Sequence, residues 1–332
     1  MTPSAMANEL KETGSVLFNQ CLNWQRKIAT IHRTINHPRL PIVMGRGSSG
    51  HAAVALLYFY AKQTGLHGID FRPSLVDMSL PKANYSGFWG AVFSASGESP
   101  ELLRAAEWLK SCDASLIGIT NGPADCSLSR LADDCLCLSV GAERAIPATK
   151  SFSAQLLAAG LLAGLPLSDD ARLALPKLAT ILDSPAPSET ATWLENCRMV
   201  IWLGRGWLLP AALDAALKLQ ETSGHGSVAY SIAEYFHGPI GSSHRDDRVI
   251  VFDDRDAPSP LAPRLFQTLE QRQVPFITVT PQALWQEPHF TIPPILKPVI
   301  LTTFAQSVAL SRALQLKLNP DKPESLAKVT RT

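Results

Sequence analysis

The chain has 332 residues, enough for two domains of ordinary size, and 46% of them are apolar while only 18% are charged. The formal net charge of +1 argues against nucleic acid as the main partner. The longest apolar run, residues 156–165, is about half of a membrane span and predicts a buried helix rather than a membrane segment.

Cysteine and histidine usage gives no sign of a metal centre. None of the 6 cysteines lies in a C-x-x-C pair, and the histidines show no ligand spacing. The N-terminus lacks the apolar core of a secretory signal. We therefore expect reduced thiols, no metal, no cofactor and a cytoplasmic protein without membrane association.

The predicted elements begin with a helix over about residues 5–30. Short apolar runs follow, which are typical of strands buried on both faces. They lie at residues 41–44, 91–94, 115–119 and 135–140 in the first half and at 199–203, 248–252, 275–279 and 298–301 in the second. Because helical segments alternate with these runs, the pattern predicts an α/β protein with parallel sheets.

An internal repeat relates the two halves. At an offset of 159 residues, "IVMGRG" at 42–47 falls on "IWLGRG" at 201–206, and Gly65 falls on Gly224. The repeat predicts two tandem, doubly wound, three-layer α/β/α domains. The expected boundaries are a helical segment at 1–35, the first domain at 36–165, a linker at 166–189, the second domain at 190–318 and a tail at 319–332.

The stretch "GRGSSG" at 45–50 matches the G-x-G-x-x-G fingerprint of dinucleotide-binding enzymes, and Asp70 lies near the place of the ribose-binding acid. The repeat argues against that function. Residues 204–210 keep the strand, turn and helix but lose the third glycine. The glycines still allow an anion to approach the backbone at a helix N-terminus.

A serine-rich loop, "SASGES" at 94–99, distinguishes the first half from the second. Ser99 suits the N-cap of the following helix, where backbone N–H groups and the helix dipole favour a phosphate. The corresponding loop, residues 254–259, carries two aspartates that would repel a dianion, although Arg255 partly offsets them. We expect one phosphate site, in the first half.

The second half carries its own polar group on a predicted helix at 211–222. Asp214, Lys218 and Glu221 lie on one face, because their spacings are four and three residues. Glu221 lies at the C-terminal end of this helix, and its carboxylate is a candidate general base. His237 precedes a Gly-Pro pair and is expected in a turn.

Taken in order, "SASGES", "PATKSF", "ALKLQE", "EYFHGP" and "SLAKVT" resemble the isomerase half of glucosamine-6-phosphate synthase and the related fructosamine-6-phosphate deglycases. That family is built from two sugar isomerase (SIS) domains, and the resemblance covers about residues 35–332. It implies a homodimer or larger homo-oligomer that processes an amino-sugar or fructosamine 6-phosphate. The implied reaction is aldose–ketose isomerisation coupled to cleavage or formation of a C–N bond.

The resemblance also implies roles for individual residues. Glu221 would move a proton between C1 and C2, His237 of a neighbouring subunit would assist ring opening, and Lys328 would form a Schiff base. The residues implied to bind or shape the substrate site are Ser48, Ser49, Ser94, Ser96, Ser99, Thr149, Lys218 and Glu234.

Departures from the synthase affect the expected substrate and the expected nitrogen source. Ala95 and Ala148 stand where the synthase has glutamine and serine, and the loss of these polar contacts favours a different substrate, with a bulkier or differently placed group. No glutaminase segment accompanies these residues, so we expect no ammonia release from glutamine by this chain. An alternative function is a non-catalytic sugar-phosphate-binding regulator. A dinucleotide-dependent oxidoreductase is a third hypothesis, which rests on the glycine fingerprint alone.

Overall fold

The computed structural model describes residues 4–35, 40–287, 289–324 and 326–328. These residues form two compact units. The five-stranded unit holds those from 15 to 143, from 150 to 173 and at 327–328, and the four-stranded unit holds those from 4 to 14, from 144 to 149 and from 174 to 326. Residue 36, the predicted start of the first domain, lies outside the described residues, and the exact domain boundaries stay a prediction.

The five-stranded unit contains a wholly parallel sheet with the strand order β2-β1-β3-β4-β5. Its strands are β1 (Leu40–Met44), β2 (Ile69–Asp70), β3 (Phe88–Phe93), β4 (Ser115–Thr120) and β5 (Asp134–Cys137). Apolar residues of β1 and β3 pack against Leu102 and Leu109 of the following helix. The predicted strands of the first half are confirmed, within a few residues at their ends.

The four-stranded unit contains a second parallel sheet with the order β7-β6-β8-β9. Its strands are β6 (Val200–Gly204), β7 (Ser227–Ser231), β8 (Arg248–Phe252) and β9 (Phe276–Val279). Leu203, Val249 and Val251 pack against Leu265 and Leu269 of a helix. The two sheets therefore repeat one architecture, as the sequence repeat predicts.

The helices flank the strands in chain order. They are α1 (Ala5–Ile35), α2 (Gly47–Thr64), α3 (Pro100–Ser111), α4 (Ser127–Leu131), α5 (Lys150–Leu162), α6 (Asp169–Ala174), α7 (Ala179–Asp183), α8 (Ala186–Trp193), α9 (Leu209–Ser223), α10 (Ile232–Phe236), α11 (Ala262–Gln271), α12 (Pro281–Trp285) and α13 (Lys297–Gln315). Short 3₁₀ helices occupy Pro73–Met78, Leu175–Leu178, Gly206–Leu208 and Pro239–Ser242.

Two predictions about apolar segments have opposite outcomes. Every residue of α5 is buried, which confirms the buried helix predicted from the longest apolar run. The strand predicted at 298–301 is wrong, because those residues lie in α13, which is buried over most of its length. A helix that is buried on all sides has no polar face, so its sequence lacks the alternation of apolar and polar residues every three to four positions. A short apolar run within such a helix therefore cannot be distinguished from a buried strand by periodicity.

The repeat is visible in backbone geometry. Gly65 and Gly224 end α2 and α9 with φ of 73° and 63°, in the left-handed region that glycine adopts without strain. Gly45 follows β1 and Gly204 ends β6, and the first turn of the next helix lies close to each of them. Asp70 ends β2 and pairs with Arg72 at 2.7 Å, which gives Asp70 a structural role.

In the part of the chain that the structure describes, no helix is both long and apolar enough to cross a lipid bilayer.

Substituting Gly45 or Gly204 by alanine is expected to lower the free energy of unfolding by about 1–3 kcal/mol. A Cβ atom at Gly45 would lie 2.7 Å from the amide nitrogen of Gly50, and one at Gly204 would lie 2.9 Å from Cα of Leu209. Gly87→Ala is the matched control, since its Cβ would meet no atom within 4 Å. Urea denaturation measures all three variants, and equal stability of Gly45→Ala and Gly87→Ala would contradict the steric argument.

Candidate functional site

The predicted phosphate residues lie where the strand order of the five-stranded sheet reverses. From β1 the chain proceeds to β2 on one side, and β3 lies on the other. Parallel sheets bind ligands outside the carboxyl ends of the strands at such a point. The turn after β1 leads into Ser48 and Ser49, and the loop after β3 is residues 94–99.

An ion pair joins these two connections. Nε of Arg46 donates to Oε2 of Glu101 at 2.8 Å, and a second nitrogen of Arg46 contacts Oε1. Arg46 is the N-cap residue of α2, and Glu101 lies in the first turn of α3. This bond from Arg46 holds the pKa of the Glu101 carboxyl below its usual value. The pair therefore fixes the starts of α2 and α3 relative to each other.

The serine hydroxyls occupy defined positions. Ser48 and Ser49 are buried in the first turn of α2, and Oγ of Ser49 accepts from the Gln155 amide at 3.0 Å. In the loop, Oγ of Ser94 and of Ser96 each accept a backbone N–H two or three residues ahead, at 3.2 Å. Ser99 is the N-cap residue of α3, as predicted, but its side chain makes no capping hydrogen bond.

Close backbone packing shapes the serine loop. A Cβ at Gly122 would lie 2.2 Å from the carbonyl oxygen of Ser96. Asn121 adds a hydrogen bond from its N–H to the carbonyl of Ala95 at 3.0 Å. Its side chain bonds the backbone of Val140 and Gly141 at 2.9 and 3.0 Å. Asn121 thus ties the serine loop to the segment that follows β5.

A cavity of about 640 Å³ opens beside this loop, within the five-stranded unit. Two of the predicted site residues, Ser96 and Lys328, line it. Ala95, Asn121, Gly122, Pro123, Ser139, Gly141, Ala142, Glu143 and Ser151 complete the wall. Ser48, Ser49, Ser94 and Ser99 are not among the lining residues. Of the tail motif "SLAKVT", only residues 326–328 are described.

Glu143 organises one wall of the cavity. Its side chain is 4% exposed, and Oε2 accepts from Nζ of Lys328 at 3.0 Å. The same carboxylate accepts from Oγ and N–H of Ser151, in the first turn of α5, at 2.7 and 3.1 Å. A carboxylate is favourable at a helix N-terminus. One buried group therefore caps α5 and holds the tail lysine.

The four-stranded unit holds the predicted proton-transfer group. Lys218 is fully buried and contacts the Glu221 carboxylate, and Oδ1 of Asp214 lies 3.9 Å from its Nζ. The side chain of Glu221 stays 21% exposed. The three residues lie together on α9, as their spacing predicts. Lys218 orients a carboxylate that solvent can still reach.

Glu234 lies on the exposed side of α10 in the same unit, and His237 lies in the exposed turn that follows this helix. Oγ of Ser231 caps α10 by accepting the N–H of Glu234 at 3.0 Å. His237 follows α10, and Gly238 then adopts a φ of 151° that only glycine takes readily. The turn predicted at His237 is confirmed, whereas its action in a neighbouring subunit stays a prediction.

Thr149 belongs to the four-stranded unit, whereas the serine loop belongs to the five-stranded unit. Its side chain is fully buried, and Oγ1 donates to Oε2 of Glu9 at 3.4 Å. Glu9 also accepts the N–H of Ala145 at 3.2 Å. This environment gives Thr149 a structural role, and sugar binding by Thr149 stays a prediction.

The second copy carries an internal ion pair at the corresponding sheet edge. Nζ of Lys297 donates to both oxygens of Asp254 at 2.8 Å and to Asp256 at 2.7 Å. Lys297 and Asp254 are buried. Trp207 and Leu208 replace the hydroxyl residues Ser48 and Ser49 of the first copy. This arrangement agrees with the expectation that only the first half holds a phosphate.

Sequence reasoning missed Glu143 and Asn121. Neither lies in a periodic pattern, since both follow strands in irregular segments. A carboxylate shortly before a buried helix is a weak signal for a helix cap. Its contact with Lys328, 185 residues away, follows only from the fold.

The SIS domain family matches residues 91–165 and 194–286, about half of the chain. The chain belongs to the SIS domain family. Among its relatives, glutamine–fructose-6-phosphate aminotransferase (isomerizing) of Aeropyrum pernix is 28% identical over 86% of this chain and 50% of that protein. The chain spans about half the length of the curated relatives it matches.

Solved structures show the same SIS fold. The C-terminal domain of glucosamine-fructose-6-phosphate aminotransferase from Francisella tularensis superimposes with a TM-score of 0.80 at 20% identity, over 96% of this chain and 98% of that domain. Glucosamine-6-phosphate deaminase from Thermotoga maritima gives a TM-score of 0.78 at 24% identity, over 99% and 98%. These likenesses establish the fold of two tandem SIS domains.

The Arg46–Glu101 pair predicts a pH dependence of stability. The pKa of Glu101 is lower in the folded than in the unfolded protein, where it is near 4.5. The ionised carboxylate therefore stabilises the folded state above this unfolded pKa, and the stabilisation is lost as the pH falls through the folded pKa. Glu101→Gln should lower the free energy of unfolding at pH 7, and the difference from the parent should shrink below about pH 4. Urea unfolding at both pH values tests this. Glu107→Gln, on the exposed face of α3, is the control and should leave the change of unfolding free energy with pH as in the parent. The same pH dependence in Glu101→Gln as in the parent would refute a stabilising role of the Arg46–Glu101 pair.

Proposed function

We propose that this SIS-domain protein is an enzyme that acts on an amino-sugar or fructosamine 6-phosphate and couples aldose–ketose isomerisation to cleavage or formation of a C–N bond. The observation that carries the proposal is the placement of Lys328. Its amine lies on the wall of a cavity shared with Ser96 of the serine loop, at the edge of the sheet that suits a phosphate.

A lysine in this position supplies chemistry that simple binding does not need. Its amine can add to the C2 carbonyl of an open-chain ketose and form an imine. The imine makes the neighbouring C–H bonds more acidic and allows nitrogen to be exchanged at the sugar. Lys328 supports a reaction at carbon and nitrogen, whereas a pure phosphosugar sensor requires only the serine loop.

The remaining roles follow from the chemistry of single residues. Glu221 is assigned the transfer of a proton between C1 and C2, because its carboxylate is partly exposed and oriented by Lys218. His237 is assigned assistance in ring opening from a neighbouring subunit of a homo-oligomer. The serines of residues 94–99 are assigned the phosphate, with the N-terminus of α3.

Ala95 bears on the choice of substrate. It lines the cavity, and its methyl group offers no hydrogen bond. A glutamine there would contribute both a donor and an acceptor. The proposal therefore favours a sugar with a group, such as an N-substituent, that does not require a polar contact at this wall.

Lys328→Arg should abolish imine formation while keeping a cation for Glu143. Borohydride reduction in the presence of fructose 6-phosphate should label the parent protein at Lys328, as mass spectrometry of its peptides would show. The variant should show at least about 100-fold less labelling, since a guanidinium does not form imines with sugars. Lys322→Arg, an exposed lysine in the tail, should label like the parent. Labelling retained in Lys328→Arg would refute the role of Lys328.

Glu221→Gln should separate binding from turnover. The parent should convert at least one compound in a panel of fructosamine 6-phosphates, amino-sugar 6-phosphates, and fructose 6-phosphate with ammonia. The variant should lose about 100-fold or more in turnover but keep the thermal stabilisation by that ligand. Glu270→Gln, an exposed carboxylate of α11, is the control. Stabilisation of the parent without any turnover would favour a regulatory sugar-phosphate-binding protein instead.

A further inference from the structure

The buried carboxylate of Glu143 lies beside the amine that the proposed reaction uses. Oε2 of Glu143 and Nζ of Lys328 are 3.0 Å apart, and both side chains line the same cavity. The side chain of Lys328 is 38% exposed, so a ligand in the cavity can reach it, whereas that of Glu143 is 4% exposed. This asymmetry places a shielded carboxylate behind an accessible amine.

Glu143 is held rigidly in this position. Ser151 donates to it twice, from Oγ at 2.7 Å and from N–H at 3.1 Å. The backbone before it is fixed by Asn121, whose side chain bonds Val140 and Gly141. A side chain anchored by two donors on one helix turn cannot follow Lys328 if the lysine moves. It remains as a fixed proton acceptor at the cavity wall.

We propose that Glu143 is the proton-transfer partner of Lys328 during formation of the imine. This inference rests on the proposed function, because it concerns the same lysine. The Lys328 ammonium gives one proton to the Glu143 carboxylate, and the freed amine adds to the ketose carbonyl to form a carbinolamine. Glu143 then returns that proton to the departing hydroxyl. The products are one water, a protonated imine on Lys328 and an ionised Glu143, so that atoms and charge balance.

An ion pair between Lys328 and Glu143 with a purely structural role would show the same 3.0 Å contact. The chain offers a matched comparison for this alternative. Asp133 accepts from Nζ of Lys110 and from the N–H of Leu116, both at 2.8 Å. Like Glu143 it holds one lysine and one backbone donor, but it lies outside the serine loop and does not line the cavity. Asp133→Asn therefore reports on the loss of a structural carboxylate that holds a lysine.

The experiment compares rates of borohydride trapping with fructose 6-phosphate in Glu143→Gln, Asp133→Asn and the parent. Glutamine keeps the size of the side chain and can still bond Ser151. We expect the trapping rate of Glu143→Gln to fall at least about 100-fold, with little change in thermal stabilisation by the sugar phosphate. Asp133→Asn should trap within about twofold of the parent. A second variant, Glu143→Ala, should recover trapping when formate is added, because formate can replace the missing carboxylate.

The outcomes separate this inference from the proposed function. If the parent itself forms no imine with any compound in the panel, the proposed function fails. If the parent traps the sugar and Lys328→Arg does not, but Glu143→Gln traps at the parental rate, only the role of Glu143 is overturned. Failure of formate to restore Glu143→Ala while that variant remains folded, as judged by circular dichroism, would also count against proton transfer.

Discussion

All strands within each of the two sheets run in one direction, and this constraint fixes where chemistry can occur. A parallel sheet sends every loop that follows a strand to the same edge, and a reversal of strand order separates two of those loops. In the five-stranded unit these are the connections after β1 and β3. The Arg46–Glu101 pair then links the two helices that begin there. The strand order determines which edge of the sheet carries the serine hydroxyls, and side-chain contacts such as the Arg46–Glu101 pair then fix their positions at that edge.

The cavity of this unit combines elements that are distant in sequence. The serine loop, the segments after β4 and β5, the start of α5 and the tail all contribute residues to it. Asn121 and Glu143 connect them, the first through backbone groups and the second through a carboxylate. Both are buried or half-buried polar residues whose hydrogen bonds go to fixed partners. Such bonds are more costly to break than those of exposed residues, because an unpaired polar group would be left without water.

The sequence alone predicted the architecture of two parallel α/β sheets but only part of the candidate site. The repeat at 159 residues predicted two equivalent sheets, because glycines at corresponding positions serve the same backbone geometry. The face of α9 with Lys218 and Glu221 was predictable from helical spacing. Residues 298–301 were predicted as a strand but lie in α13, because a helix buried on all sides shows no helical periodicity of apolar residues. The position of Glu143 in the site was not predictable, because only the tertiary structure brings Lys328 into contact with it.

The internal ion pair of Lys297 and Asp254 limits the evolutionary paths open to the second SIS domain. A buried pair that loses one partner leaves a desolvated charge, and such losses typically cost about 3–5 kcal/mol. Anion binding at this sheet edge would therefore need coordinated substitutions at both positions. The internal repeat gives the chain two copies of one scaffold. The buried pair of the second copy makes conversion of its sheet edge to the serine-lined form of the first copy energetically costly.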